Sequence, residues 1–264
     1  MVIRCADKTR ILSGQSREAL HTGNAAFPCQ RPVTGRSDYH GGMTSPALPE
    51  ISTALMLDGP AGPLEAAVDL PDDDVARLPY TAIVCHPLST EGGSLHNKVV
   101  TMLARSLREL GVTTVRFNFR GVGESAGQFD HGNGEREDLR AMADWVRLHR
   151  PGDRLWLAGF SFGSYVSLSM AEELQPDAVI SVAPPVAGRG WDFDAIRTPS
   201  ERWLVIQGEA DEIVDPQSVF GWIERLPTPP ELVRMPDTSH FFHRKLMDLR
   251  GAIKHVAKDW LPAA

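Results

Sequence analysis

Cysteine is scarce in this 264-residue chain. Cys5, Cys29 and Cys85 are too few and too scattered for a disulfide framework or a zinc knuckle. Cys85 stands inside an apolar run and reads as a small core residue. No stretch of about 18 consecutive apolar residues exists, so no transmembrane helix is expected. The opening residues lack a secretory apolar core, which makes the cytoplasm the default expectation. Basic residues are also in deficit. Lys and Arg total 27 against 34 Asp and Glu, a formal net charge of −7. That balance argues against nucleic-acid and anionic-membrane partners. What the chain has is apolar material, 42% of its residues, enough to fill the core of one large α/β domain or two small ones.

Residues 1–42 differ from the remainder. Six basic residues stand against three acidic ones there, amid Gly, Ser and Thr and without a sustained apolar period. The composition predicts a disordered extension over 1–42 and a folded domain over 43–264. A start at Met43 would give that domain alone; a transit-like leader is the functional alternative for the preceding segment.

From Pro49 the pattern becomes regular. Ile51–Leu57 and Leu64–Leu70 read as a strand pair around Asp58-Gly59-Pro60-Ala61-Gly62. Thr81–Cys85 is a continuous apolar run and reads as a strand covered on both faces; 112–119, 155–160, 178–182 and 203–207 read as further strands, and 231–235 follows as another. Between them, helical spacing marks 97–110, 135–149, the segment after Ser161, and 219–226, with a closing helix at Phe241–Trp260. Alternating strand and helix from residue 81 onward predicts an α/β fold. Its core would be a doubly wound, mainly parallel sheet with helices on both faces. The irregular link 184–200 leaves no room for a large lid domain.

In such a sheet, ligands bind beyond the carboxyl ends of the strands. The residues there are His86-Pro87-Leu88, Arg120-Gly121, Ser161, Gly208-Glu209-Ala210-Asp211 and Asp237-Thr238-Ser239-His240. Ser161 lies in Gly159-Phe160-Ser161-Phe162-Gly163, between a buried strand and a helix. That setting describes a sharp turn exposing a serine hydroxyl, although a serine capping the next helix has the same sequence. A serine, an acid and a histidine therefore meet on one rim, in the chain order Ser…Asp…His.

The chemistry needs these types. A serine hydroxyl becomes nucleophilic when an imidazole takes its proton, and a carboxylate holds that imidazole in the right tautomer. The negative charge that develops on the substrate oxygen needs N–H donors. Phe162, directly after the serine, would supply one. Pro87 has no N–H, so Leu88 would supply the other. Rivals exist: Glu209, Asp215 and Asp237 for the acid, His243 and His86 for the base. Asp215 precedes Pro216 and fits a helix cap better. His86 would line the pocket or bond its own loop. Arg120 would anchor its loop or contact substrate. His240-x-x-His243 lacks a third ligand, so no metal is expected. Gly121-Val122-Gly123 is too short a glycine pattern for a dinucleotide, and no cofactor is expected.

From about residue 50 to 262 the chain resembles the α/β-hydrolases, and more narrowly the small, lid-less bacterial ones, many of them only predicted enzymes. The resemblance rests on His86-Pro87…Gly92-Gly93…Asn97-Lys98-Val99-Val100, on Arg120–Ser125, and on the Gly-x-x-Asp and Ser-His-Phe segments around Asp211 and His240. It implies Ser161 as nucleophile, Asp211 as acid and His240 as base, acting on a small-molecule acyl substrate. Hydrolysis of an ester or thioester is the expected reaction. An acyltransferase or peptidase with the same three residues, or a non-catalytic binding protein, stays open. Oligomeric state has no signal in the sequence.

Overall fold

The computed structural model describes residues 46–262. The expectations for 1–42, and for a boundary at Met43, fall outside the described residues. Eight strands form one sheet: β1 (Thr53–Gly59), β2 (Gly62–Asp69), β3 (Tyr80–Cys85), β4 (Thr113–Phe117), β5 (Arg154–Phe160), β6 (Ala178–Val182), β7 (Trp203–Gly208) and β8 (Glu231–Met235). Their spatial order is β1-β2-β4-β3-β5-β6-β7-β8. The first two strands form a hairpin closed by Pro60-Ala61, and β2 runs antiparallel to β4. Strands β3 to β8 are parallel throughout. All six therefore deliver their carboxyl ends to one rim, as expected for crossovers of one hand.

Among the described residues, five α-helices cover the sheet: α1 (Lys98–Arg108), α2 (Asn133–His149), α3 (Phe162–Leu174), α4 (Pro216–Glu224) and α5 (Leu246–Ala257). Side-chain alternation along the strands divides the core in two. Ile83, Leu157 and Val205 pack with α2, α3 and α4 residues such as Leu139, Val166 and Trp222. Ala82, Trp156 and Leu204 pack with Leu103 of α1 and Ile253 of α5 on the other face. Period-2 strands between amphipathic helices dictate this division.

Local chemistry sets the helix ends. Asn97 caps α1 by accepting the Val99 N–H at 2.9 Å. Asp215 caps α4, with Pro216 in the first turn where no N–H is missed. The stripe Gly163, Ser167 and Ala171 on α3 permits close packing: a Cβ on Gly163 would land against the carbonyl oxygen of Cys85 in β3. The closing helix starts five residues later than its sequence suggests. Phe241–Lys245 form turns, with Phe242 and Arg244 at φ of 54° and 62°, outside helical space. The link between Val182 and Trp203 contains neither helix nor strand. Among the described residues no helix is long and apolar enough to cross a membrane.

Candidate active site

The rim at the strand ends gathers side chains that are far apart in sequence. Ser161 stands between β5 and α3 with φ 52° and ψ −119°. The chain must reverse within one residue there, so its neighbours need to be small. A Cβ on Gly159 would strike the backbone of Gly163 and Ser164. The Ser161 N–H donates to the Val182 carbonyl at 2.8 Å, and its own carbonyl accepts the Ser164 hydroxyl at 2.7 Å. The turn is thus held from both sides, while the Ser161 hydroxyl remains free for other partners.

One such partner is His240, delivered by the loop after β8. Its Nε2 lies 3.2 Å from Ser161 Oγ, and its Nδ1 lies 2.8 Å from Asp211 Oδ2. An ionised carboxylate only accepts, so Nδ1 carries the proton and Nε2 presents its lone pair to the hydroxyl. Asp211, in the loop after β7, also accepts from the backbone N–H groups of Ile213 at 2.9 Å and Val214 at 2.8 Å. Burial pushes its carboxyl upward. The His240 hydrogen bond and charge, with the two N–H groups, outweigh burial and hold it below the usual aspartate range. Ser161, Asp211 and His240 are each less than a tenth exposed.

The close approach of the β7 and β8 loops depends on Gly208, where a Cβ would meet the Thr238 carbonyl. Of the competing acids, Asp237 is exposed and the other two are bonded elsewhere. Glu209 pairs with Arg234 at 2.8 Å, and Asp215 is the α4 cap. His243 is exposed and lies in the turn before α5.

Phe162 opens α3, so its N–H has no acceptor within that helix. Leu88 sits in the loop after β3. Its carbonyl accepts the N–H groups of Glu91 at 3.1 Å and Gly93 at 3.0 Å, which folds the loop back on itself. Gly93 is needed because a side chain there would overlap the Pro87 carbonyl.

His86 and Arg120 both serve as anchors of the chain around the rim. His86 is fully buried. Its Nε2 accepts the Phe119 N–H at 3.0 Å, so its Nδ1–H donates to the Pro87 carbonyl at 2.6 Å. Both ring nitrogens are used, tying the end of β3 to the chain beyond β4. Burial drives this imidazole down to about 4, with the Pro87 carbonyl acting the other way. Arg120 grips the buried carboxylate of Asp138 in α2, at 2.8 Å from one terminal nitrogen and 3.1 Å from Nε. The rest of its glycine loop is also structural. Ser125 donates to the Asn118 carbonyl at 2.7 Å and accepts the Glu65 N–H at 2.9 Å, fastening the loop to β2.

Two residues near the three were not anticipated. Gln207 donates to Asp211 Oδ2 at 3.0 Å, and Glu212 accepts the backbone N–H of His240 at 3.2 Å. The sequence signal for the first was a lone polar side chain at the end of an apolar strand, four residues before the aspartate.

Comparison with known proteins agrees with this architecture. A family model for the α/β-hydrolase fold matches residues 83–198. A Xanthomonas campestris structure, described as a member of the α/β serine hydrolases without a lid, is 67% identical. The match covers 83% of this chain and 100% of that one, with a TM-score of 0.81. An α/β serine hydrolase homologue from Coxiella burnetii is 42% identical, with 79% and 99% covered and a TM-score of 0.75. An uncharacterized Rickettsia prowazekii protein is 30% identical over 207 residues, 75% of this chain and 86% of that one. The chain belongs to the α/β-hydrolase superfamily, among its serine hydrolases without a lid.

Proposed function

We propose that the protein hydrolyses carboxylic esters or thioesters of small acyl groups through an acyl-enzyme, with Ser161 as nucleophile, His240 as base and Asp211 as the acid. The single observation that carries this reading is the continuous relay from Ser161 Oγ to His240 Nε2 at 3.2 Å and from His240 Nδ1 to Asp211 Oδ2 at 2.8 Å.

In the proposed reaction the Ser161 oxygen adds to the acyl carbon while its proton passes to Nε2. The imidazolium, stabilised by Asp211, then gives that proton to the departing alkoxide or thiolate. Water repeats the sequence: it loses a proton to Nε2, attacks the acyl-enzyme and releases the acid. The N–H groups of Phe162 and Leu88 would meet the oxyanion, and the amino end of α3 adds a favourable dipole. Trp191 and Phe129 lie against the Phe162 ring, at centroid distances of 5.0 and 5.7 Å, and Phe241 stands edge-on to His240 at 5.1 Å. These apolar surfaces suit an acyl chain. The absence of helix or strand between Val182 and Trp203 favours a shallow site and short chains.

A fluorophosphonate probe should label Ser161, and p-nitrophenyl acetate or butyrate should be cleaved faster than the palmitate. A folded protein that takes no label would remove the catalytic reading. Labelling combined with a preference for palmitate would remove only the short-chain part. Adding competing alcohols or amines and analysing products separates hydrolysis from acyl transfer.

A further inference from the structure

Gln207 is a fully buried amide on a strand whose other buried side chains are Trp203, Leu204, Val205 and Ile206. Its carbonyl oxygen has no hydrogen-bond partner among the described residues. Burying an amide with half of its bonding capacity idle is unfavourable compared with an apolar residue of the same size. The other half of the group is fully used. Nε2 donates to the Gly208 carbonyl at 3.1 Å and to Asp211 Oδ2 at 3.0 Å. The amide cannot be turned over, because its oxygen would then face two acceptors.

We propose that Gln207 is a positioning residue for the Ser161–His240–Asp211 site: its amide fixes the Asp211 carboxylate and limits how strongly that carboxylate draws on the His240 imidazole. This inference rests on the catalytic reading given above. A carboxylate offers about four acceptor positions. Ile213 and Val214 occupy two through Oδ1, and His240 and Gln207 share Oδ2. With both oxygens held, the carboxylate plane is set independently of His240, and the imidazole docks on a rigid acceptor. The Gln207 N–H also takes up part of the Oδ2 charge. Asp211 therefore stays a hydrogen-bond acceptor for Nδ1–H without over-stabilising the imidazolium, which must surrender its proton to the leaving group.

The remaining charged groups around the pair are committed elsewhere. Glu212 accepts the His240 backbone N–H, Glu209 pairs with Arg234, Asp215 caps α4, and His243 lies against Phe241. None of them supplies a donor to Asp211.

Gln207→Met keeps the length and approximate volume of the side chain and removes both donors. The measurement is kcat and KM for a short p-nitrophenyl ester across pH 5–9, alongside fluorophosphonate labelling. We expect KM to stay within twofold, kcat to fall on the order of 10-fold, and the acid limb of kcat/KM to move upward by about one pH unit, the scale of one charge-assisted hydrogen bond. A loss of kcat with an unmoved acid limb, or an unchanged profile, would overturn the proposal, since a filler of space does not shift a titration. If Gln207→Met does not fold, Gln207→Leu decides. It also removes the donor to Asp211 and adds no ionisable group, so its acid limb should move upward by the same amount; an acid limb at the wild-type position overturns the idea. Wild-type protein inert to the probe would remove the catalytic reading and this inference with it. Wild-type protein that labels, beside a variant with the wild-type profile, removes this inference alone.

Discussion

Ser161 holds a backbone conformation, φ 52° and ψ −119°, that a residue with a Cβ adopts only under constraint. Such a position stores about 1–3 kcal/mol, supplied by the surrounding fold. Under the proposed function, stability and reactivity are therefore opposed at this one residue. Ser161→Ala keeps the strain and removes the hydroxyl, so kcat should fall on the order of 10⁶-fold with little change in melting. Ser161→Gly removes both. Because glycine loses more entropy on folding, the net gain should be about 1 kcal/mol, seen as a higher melting temperature than that of Ser161→Ala. Equal melting of the two variants would mean that the turn is not strained. Asp211→Asn should cost less activity, about 10⁴-fold, by leaving the imidazole in the wrong tautomer.

At the scale of elements, α1 and α5 lie side by side on one face of the sheet and are joined by a charge cluster. Glu109 ends α1, where the helix dipole disfavours a carboxylate. Burial works against its charge as well. Hydrogen bonds from Arg250 at 2.7 Å, Lys254 at 2.8 Å and Arg105 at 2.9 Å overcome both effects and hold the carboxyl near 2, well below its ordinary 4.5. A folded value depressed in this way stabilises the protein above about pH 4.5, and the contribution disappears as pH falls toward 2. The cations are partly exposed, so the discounted worth is about 1–2 kcal/mol. Glu109→Gln should lower unfolding free energy by that amount at pH 7 and by roughly a quarter of it near pH 2.5, in urea titrations at the two values. A deficit that persists unchanged at low pH would show that lost packing, rather than lost charge, is responsible.

Across the whole molecule, legibility followed periodicity. The parallel strands and the helices over them could be read because apolar spacing marks most of each element. The rim could be read because a parallel sheet sends its strand ends to one side. The start of α5 could not, since Phe242 and Arg244 adopt positive φ under tertiary packing, and side-chain spacing carries no record of that. The network around Asp211 was hidden for a related reason: Gln207 looks like a strand residue until its amide is seen to face the carboxylate. His86 shows the same limit with a consequence for the entire fold. As a rim histidine it looked able to contact substrate, yet it joins β3 to the chain beyond β4 from inside the core. Burial keeps it neutral in the folded protein down to about pH 4, and a proton on Nε2 would also set N–H against the Phe119 N–H, whereas an unfolded histidine protonates near 6.5. The unfolded state thus binds the proton first. Stability from this residue is complete above pH 6.5 and is lost as pH falls through 4, by at most roughly 3 kcal/mol. His86→Asn lacks the titration. It should be less stable than wild type at pH 7.5, and that deficit should narrow steadily between pH 6.5 and 4 in denaturant unfolding. A gap of constant size over that window would mean the proton enters His86 equally in both states, and the acid sensitivity of the fold would have to originate in other groups.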